Sequence, residues 1–221
     1  ELVSGTTQHG RNRNDAGDWF GNNNSNPLWH YVLDQSVLAR NPHFSPPSPI
    51  VHMPEVPGNS PVFPTSVTHE RFNDFHTANC ITSACSTVIY RGELLGDQYY
   101  GDAFISEPVH NMVHRQVVSE NGVTFTSKRA EDEQNSEFLT STDPWCRPVR
   151  TGPDGSLWVV DMYRHVIEHP EWIPHDWETQ LDLRAGHERG RLYRVAPKGH
   201  APLPAPDLTK LSLADLVARL G

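Results

Sequence analysis

The sequence predicts an all-β fold, and three observations support that prediction. Runs of β-branched and aromatic residues recur about every ten residues between positions 102 and 161. Turn signals separate these runs, and the clearest are Asn121-Gly122 and the segment from Gly152 to Gly155. The 221 residues include 19 prolines and 15 glycines, typical of a loop-rich protein, while 6 Trp, 6 Tyr and 8 Phe exclude low-complexity disorder.

The predicted strands follow one another along the chain with short connections. They lie at residues 87–90, 102–107, 112–118, 122–128, 136–141, 145–149, 157–161 and 190–195. The run at 157–160 is apolar throughout, as in a strand buried on both faces of its sheet. Strands at this spacing build sandwiches, barrels or propellers, and two successive four-stranded meanders, over 90–130 and from 138 onward, favour a propeller.

Long polar or proline-rich segments interrupt this pattern. A short strand at 2–7 leads into a polar, asparagine-rich loop that extends to residue 27. Prolines are so frequent between 41 and 64 that neither a helix nor an inner strand is expected, and we predict an extended arm on the surface. The pattern turns helical from 163 to 186, with a helix predicted at 175–184.

The last 25 residues are predicted to lie outside the β domain, which we place at 1–196. A proline-rich spacer covers 197–206, and a short helix then begins at a capping box formed by Ser212 and Asp215. The apolar residues of this helix form one stripe, at Leu213, Leu216, Val217 and Leu220. So short a helix buries little alone, and we expect residues 197–221 to be a spacer and the start of a helical module.

Charge and composition exclude several classes of function. The formal net charge of −9 argues against a nucleic-acid partner and against binding to an anionic membrane surface. No apolar run reaches the roughly 18 residues that a membrane span needs. No signal peptide is recognisable after Glu1, so we expect a piece of a longer protein.

The three cysteines cannot all pair with one another. Cys80 and Cys85 can form a bridge only if a turn brings them together, and Cys146 lies in a predicted strand, where a buried thiol is expected. The sequence has no Cys-x-x-Cys motif, so it encodes neither a zinc ribbon nor a c-type haem attachment site.

Two polar clusters are candidate sites. In the first loop, Arg11, Asn23 and Asn24 could face a ligand, or the asparagines could hydrogen-bond their own backbone. In the second cluster, the oxygen atoms of Asn73 and Asp74 suit calcium and His76 suits proton transfer. A turn stabilised by asparagine and aspartate side chains explains the first two residues of that cluster equally well.

The spacing of four further histidines limits the roles that they can have. Residues 165–169 fit the H-x-x-E-H pattern of some zinc peptidases, but Pro170 ends the helix that such a site needs. His110 and His114 are predicted on one strand, where the spacing separates them by about 13 Å and prevents binding of one shared ion. A histidine of this pair close to Glu107 is a candidate acid/base group. No serine-hydrolase elbow, dinucleotide fingerprint or phosphate loop is present.

Several long motifs together resemble one protein family. They are SGTTQHGRNRNDAGDWFGNNNSNPLWHYVL, RFND-H-TAN-TSAC, FISEPVHNMVHR, EFLTSTDPW-RPV, GPDGSLWVVDMYRHVIEHPEWIP and GRLYRV. They are similar to the membrane-bound-dehydrogenase-type β-propellers of planctomycetes and verrucomicrobia, relatives of glucose/sorbosone dehydrogenases, over residues 4–195. The resemblance implies the C-terminal half of a six-bladed propeller, or about three blades with long polar loops. It also implies a bacterial, periplasmic or extracytoplasmic parent that carries the missing half and helical and cytochrome modules.

The resemblance also implies an activity and a set of residues. The related dehydrogenases use pyrroloquinoline quinone with calcium, a histidine base and arginines. Carried onto this sequence, the catalytic candidates are His76, His110, Arg147 and Arg164. The cofactor candidates are Arg11, Asn23, Asn24, His114 and Arg115, and the calcium candidates are Asn73, Asp74 and Glu107. The expected substrate is a small sugar.

Two alternatives stay open. One is a calcium-dependent hydrolase of lactones or esters, which needs a metal-bound carbonyl and a nearby acid/base group. The other is a non-catalytic binding fragment, because a fold does not fix a function. An incomplete ring leaves apolar faces and strand edges open, so we expect self-association, with a homodimer as its simplest form.

Overall fold

The computed structural model describes residues 7, 10–56, 60–66, 79–143, 149–152, 154–167, 170–201, 204 and 207–218. The strands are β1 Asn12–Arg13, β2 Trp19–Gly21, β3 Trp29–Tyr31, β4 Ile50–His52, β5 Cys85–Ile89, β6 Ala103–Glu107, β7 Met112–Asn121, β8 Thr124–Arg129, β9 Leu139–Thr140, β10 Val149–Thr151, β11 Leu157–Asp161 and β12 Arg191–Val195. The α-helices are α1 Gln35–Leu38, α2 His175–Glu178 and α3 Leu213–Ala218. Single 3-10 turns lie at Asp97–Tyr99, Pro108–His110, Glu131–Glu133, Pro170–Trp172 and Leu208–Lys210.

These strands form three antiparallel sheets, each built from consecutive segments of the chain. The first sheet has the order β1-β2-β3-β4, the second β5-β6-β7-β8 and the third β10-β11-β12. The short strand β9 returns to the second sheet and pairs with the start of β7, where Val113 faces Leu139. The prediction of an all-β fold is therefore confirmed.

The second sheet lies in the middle and buries both of its faces. On one face, Ile105 and Met112 join a core that includes Phe20 of the first sheet. On the other face, Phe104 joins a core with Leu157 of the third sheet. Burial on both sides explains why β5 and β6 are buried at every position, although each also contains two polar residues.

The turn residues predicted the positions of several strands correctly. Gly122 has a φ of 64°, and the hairpin around it pairs Asn121 with Thr124. Gly155 has a φ of 76° in the turn between β10 and β11, and the side-chain hydroxyl of Tyr90 donates to its carbonyl oxygen. The strands predicted at 102–107, 157–161 and 190–195 are observed with shifts of no more than one residue.

Two expectations about the connections need correction. The proline-rich arm contributes strand β4 at the edge of the first sheet, and Met53 beyond it is buried in the core. An edge strand tolerates nearby prolines because one side of it needs no hydrogen bonds. The helix predicted at 175–184 ends at Glu178. Downstream, the Asp182 carboxylate accepts a hydrogen bond from the Arg184 amide, which favours a turn over a helix.

The C-terminal helix forms with the expected cap. The Ser212 hydroxyl accepts a hydrogen bond from the Asp215 amide at 3.2 Å and donates to its carboxylate at 2.6 Å. The stripe on this helix is exposed, with Leu213 79% and Val217 61% accessible, while Leu220 lies outside the described residues. None of the helices in the described part of the chain is long and apolar enough to cross a membrane.

The sulfur atoms of Cys80 and Cys85 form no bridge. Cys85 is buried at the start of β5 and Cys80 is partly buried. Cys146 and most of the strand predicted at 145–149 lie outside the described residues.

Candidate functional site

Buried polar side chains are concentrated where β6 ends and β7 begins. Glu107, His110, His114, Arg115 and Gln116 are each 5% exposed or less. Because side chains alternate along a strand, positions 114 and 116 share the face of Met112, toward the first sheet, and position 115 lies on the opposite face. The expectation that both histidines lie on one strand is wrong, since Asn111 takes a left-handed conformation with φ 55° and β7 starts only after it.

His110 and Glu107 form the first histidine–carboxylate pair. The His110 Nδ1 atom lies 3.1 Å from the Glu107 Oε1 atom, and the His110 Nε2 atom accepts a hydrogen bond from the backbone N–H of Asn79 at 3.2 Å. A ring nitrogen that accepts carries no proton, so the proton belongs on Nδ1 and is donated to Glu107. Both ring nitrogens of His110 therefore form hydrogen bonds within the protein.

The Glu107 carboxylate is also fully engaged by protein donors. It accepts from the Ser83 hydroxyl at 2.5 Å, from the Ser83 amide at 3.0 Å and from the Thr82 amide at 3.4 Å. A calcium ion at this carboxylate would have to replace these donors. Within the described ranges, His, Cys, Asp and Glu side chains form no group of three or more that could hold a metal ion.

His114 and Glu137 form the second pair, and it lies beside a cleft. The His114 Nδ1 atom is 2.7 Å from the Glu137 Oε2 atom. The other carboxylate oxygen accepts from Arg129 at 2.9 Å and from the Phe63 amide at 3.0 Å. Burial alone would raise the pKa of Glu137, but the hydrogen bonds from His114 and Arg129 outweigh it and hold that pKa below its ordinary value.

A chain of hydrogen bonds connects this pair to Gln116 and to Ser127 of β8, both of which are buried. The Ser127 hydroxyl donates to the Gln116 Oε1 atom at 2.5 Å, and the Gln116 Nε2 atom lies 3.1 Å from the His114 Nε2 atom. His114 donates in turn to Glu137, so all donors point in one direction and the Ser127 oxygen at the end keeps lone pairs that can accept.

Ser127, Gln116 and His114 line a cleft of about 380 Å³. One wall is largely apolar and comes from the proline-rich arm, with Pro54, Val56, Pro61 and Phe63. The opposite wall is polar and comes from Lys128, Arg129, Glu131 and Gln134. The terminal nitrogens of Arg129 donate to the carbonyls of Pro61, Glu133 and Ser136 and to Glu137, so its charge is largely occupied inside the protein.

Arg115 lies on the other face of β7, among three carboxylates. Its NH2 atom donates to Asp132 at 2.8 Å, and its Nε atom lies 3.5 Å from Asp102 and 3.4 Å from Glu133. Burial raises the pKa of Asp102 to about 6 and that of Glu133 to about 7, with Arg115 opposing both shifts and Asp132 adding to them. The Arg115 guanidinium also stacks 4.7 Å above the Tyr99 ring.

The other predicted site residues are dispersed. The Arg11 guanidinium lies 4.0 Å from the centre of the Tyr31 ring, and the Asn23 side chain accepts from the Asn26 amide of its own turn. The Asn24 carbonyl accepts from the Ala84 amide, and Arg164 donates to the carbonyl of Arg184. Asn73, Asp74, His76 and Arg147 lie outside the described residues.

The sequence analysis missed Glu137, Gln116, Ser127 and Arg129. Alternation along β7 could have placed Gln116 beside His114, because the two are separated by one residue on the same strand. Glu137 is 23 residues from its histidine, and it reaches that histidine only because β9 pairs with β7. No short-range signal encodes that pairing.

Comparison with known proteins gives one match. Residues 1–199 match the model of a family described as a domain of unknown function, DUF7133. The chain belongs to the DUF7133 family. The matched residues cover all three sheets and both histidine pairs, and they end before α3. No curated protein and no solved structure matches the chain.

Proposed function

We propose that this DUF7133 chain is part of a β-propeller enzyme that uses His114 as an acid/base group on a hydroxyl-bearing small molecule. The leading reaction is that of the quinone-dependent sugar dehydrogenases that its motifs resemble. The observation that carries the proposal is the His114–Glu137 pair, in which a histidine at the wall of a polar cleft is oriented by a fully buried carboxylate.

The hydrogen bonds suit His114 to the role of a general base. A carboxylate on Nδ1 fixes the tautomer and leaves Nε2 as the acceptor, which is the arrangement needed to take a proton from a hydroxyl group. A substrate hydroxyl would replace the Gln116 amide as the donor to Nε2. Glu137 then stabilises the imidazolium that forms, and Arg129 holds Glu137 in place.

The arrangement of the sheets supports the propeller part of the proposal. Three antiparallel sheets follow one another in chain order, and the second packs one face on the first sheet and the other on the third. Successive, face-packed meanders are what neighbouring propeller blades look like. On this reading the chain supplies about three blades, and the rest of the ring lies elsewhere in a longer parent.

The described residues do not form a site for the cofactors that the resemblance implies. When bound, pyrroloquinoline quinone supplies a hydride acceptor, and it is an anion that needs free cationic partners. Arg115 is surrounded by three carboxylates, and the Glu107 carboxylate is occupied by protein donors. The described residues therefore offer neither group a site, and the calcium candidates Asn73 and Asp74 lie outside them.

The lack of a free cationic side chain for an anionic cofactor favours lactone hydrolysis as a second candidate, because this reaction needs only water and an acid/base group. Here His114 would take a proton from water as the water oxygen adds to the lactone carbonyl. The same proton would then pass to the ring oxygen as its bond to the carbonyl carbon breaks, which yields a hydroxy acid. Glu137 has the same orienting role in both reactions.

A paired assay tests the proposal. Dye reduction with aldoses is measured after addition of pyrroloquinoline quinone and calcium, and acid release from aldonolactones is measured with neither. We expect one of the two activities, and we expect His114→Gln to lower it by roughly 10²- to 10⁴-fold. The matched control is His43→Gln, an exposed histidine of the arm.

Each outcome of the paired assay has a defined meaning. Activity in the first assay supports the dehydrogenase, and activity in the second supports the hydrolase. Equal rates for His114→Gln and wild type would exclude His114 as the acid/base group. Sugar binding without turnover in either assay would favour the non-catalytic alternative.

A further inference from the structure

The Arg115 cluster consists of Arg115, Asp102, Asp132 and Glu133, and its negative charges outnumber its positive charge. Asp102 and Glu133 are 5% and 7% exposed, and each approaches the single Arg115 Nε atom at 3.4–3.5 Å without forming a hydrogen bond. Among the described residues, the Asp102 Oδ2 and Glu133 Oε2 atoms have no hydrogen-bond partner. A buried carboxylate oxygen without a donor is costly when charged, and protonation removes most of that cost.

The position of this cluster connects it to the cleft. Glu133 belongs to the turn at Glu131–Glu133. The first residue of this turn, Glu131, and the residue that follows it, Gln134, line the cleft. The turn is held from one side by the bond from Arg115 to Asp132 and from the other by the bond from Arg129 to the Glu133 carbonyl. A change at Glu133 therefore acts on one wall of the cleft.

We propose that Arg115, Asp102, Asp132 and Glu133 form a proton-operated clamp on the cleft wall. With one proton bound, the turn at 131–134 stays against Arg115, and release of that proton to solvent loosens the turn and opens this side of the cleft. This clamp acts on the cleft wall and is independent of which reaction the cleft catalyses.

The direction of the effect follows from the charges that face Glu133. Arg115 on β7 and Arg129 on β8 favour its ionised form, whereas Asp132 on the same turn and Glu137 before β9 oppose it, and burial opposes it most. The pKa of Glu133 in the closed turn is raised from 4.5 to about 7. A raised carboxyl pKa means that the closed form is favoured in acid and loses that advantage as the pH rises through about 7.

The same values set the size of the effect. If Glu133 returns to its ordinary pKa of 4.5 when the turn opens, the opening equilibrium should increase about tenfold between pH 6 and pH 8. Asp102, whose pKa is raised to about 6, changes charge within the same range and acts in the same direction.

Amide hydrogen exchange at Glu133, whose N–H donates to the Ala130 carbonyl at 3.1 Å, measures this opening after correction for the intrinsic pH dependence of exchange. In the wild-type chain, protection should fall about tenfold between pH 6 and pH 8. Glu133→Gln should remove most of this pH dependence, because the amide cannot ionise and only Asp102 still changes charge. The control Glu120→Gln changes an exposed glutamate at the far end of β7 and should behave like wild type.

A second variant keeps the test informative if Glu133→Gln does not fold. Asp132→Asn removes an exposed like charge and should move the midpoint of the transition to lower pH. Constant protection of the wild-type turn from pH 5.5 to 8.5 would overturn the proposal. So would an unchanged pH dependence in Glu133→Gln or an unchanged midpoint in Asp132→Asn. None of these results depends on catalytic activity, so they are independent of the proposed function.

Discussion

Replacing Glu137 by Gln should destabilise the protein strongly. The carboxylate side chain is fully buried and accepts from three segments: His114 at 2.7 Å, Arg129 at 2.9 Å and the Phe63 amide at 3.0 Å. Glutamine keeps one acceptor oxygen, and its NH2 group must face either the histidine or the arginine donor. Loss of one partner of a buried ion pair costs roughly 3–5 kcal/mol, and we expect a loss of free energy of unfolding in that range.

Urea denaturation measures this loss, with an exposed-site control in Glu120→Gln. At about 2–4 °C per kcal/mol for a chain of this size, the melting temperature should fall by roughly 6–20 °C. The pKa of Glu137 is lowered in the folded protein, so its contribution is present above the unfolded value of 4.5 and is lost as the pH falls through the folded pKa. The gap between wild type and variant should therefore narrow in acid. A difference below about 0.5 kcal/mol at neutral pH would refute the reasoning, because that is the range of ordinary surface substitutions.

Three further predictions concern packing, metal binding and assembly. Gly152→Ala would place a Cβ atom against the Trp158 Nε1 atom and should cost about 1–3 kcal/mol in urea denaturation, whereas wild-type stability would contradict the close packing of Trp158 on Gly152. The calcium site predicted from Asn73, Asp74 and Glu107 requires that millimolar calcium raise the melting temperature relative to chelator, and an unchanged value would exclude that site. The third sheet exposes Val160 and Leu192, which face each other across β11 and β12, so light scattering should show self-association, and a 24.9 kDa monomer would disprove it.

Local chemistry explains which parts of the fold were predictable. The Asn121-Gly122 turn and the strand at 157–161 involve neighbours in the sequence, and both form as expected. The expectation that this strand is buried on both faces is wrong, because Leu157 and Val159 are buried but Val160 is 37% exposed. The helix predicted at 175–184 was too long because the Asp182 side chain bonds to the backbone two residues later and competes with the helix.

The contacts of the candidate site were harder to predict from the sequence than the fold. Glu107 and His110 are three residues apart, and their proximity was predicted. Asn111 takes a left-handed conformation, which asparagine adopts more readily than most other residues, and it separates His110 from the strand of His114; the sequence analysis extended the strand through it. The His114–Glu137 pair depends on the register of β9 on β7, and strand register is set by tertiary packing.

Nitrogen NMR of histidine-labelled protein tests the central claim about His114 most directly. With His114→Gln used to assign the signal, the structure predicts a proton on Nδ1, hydrogen-bonded to Glu137, and an Nε2 atom without one. Addition of D-glucose or D-glucono-1,5-lactone, whichever is turned over, should shift the Nε2 resonance as the ligand hydroxyl or the attacking water replaces Gln116. A proton on Nε2, or an Nε2 resonance that saturating substrate leaves unchanged, would contradict the assignment of this cleft as the active site.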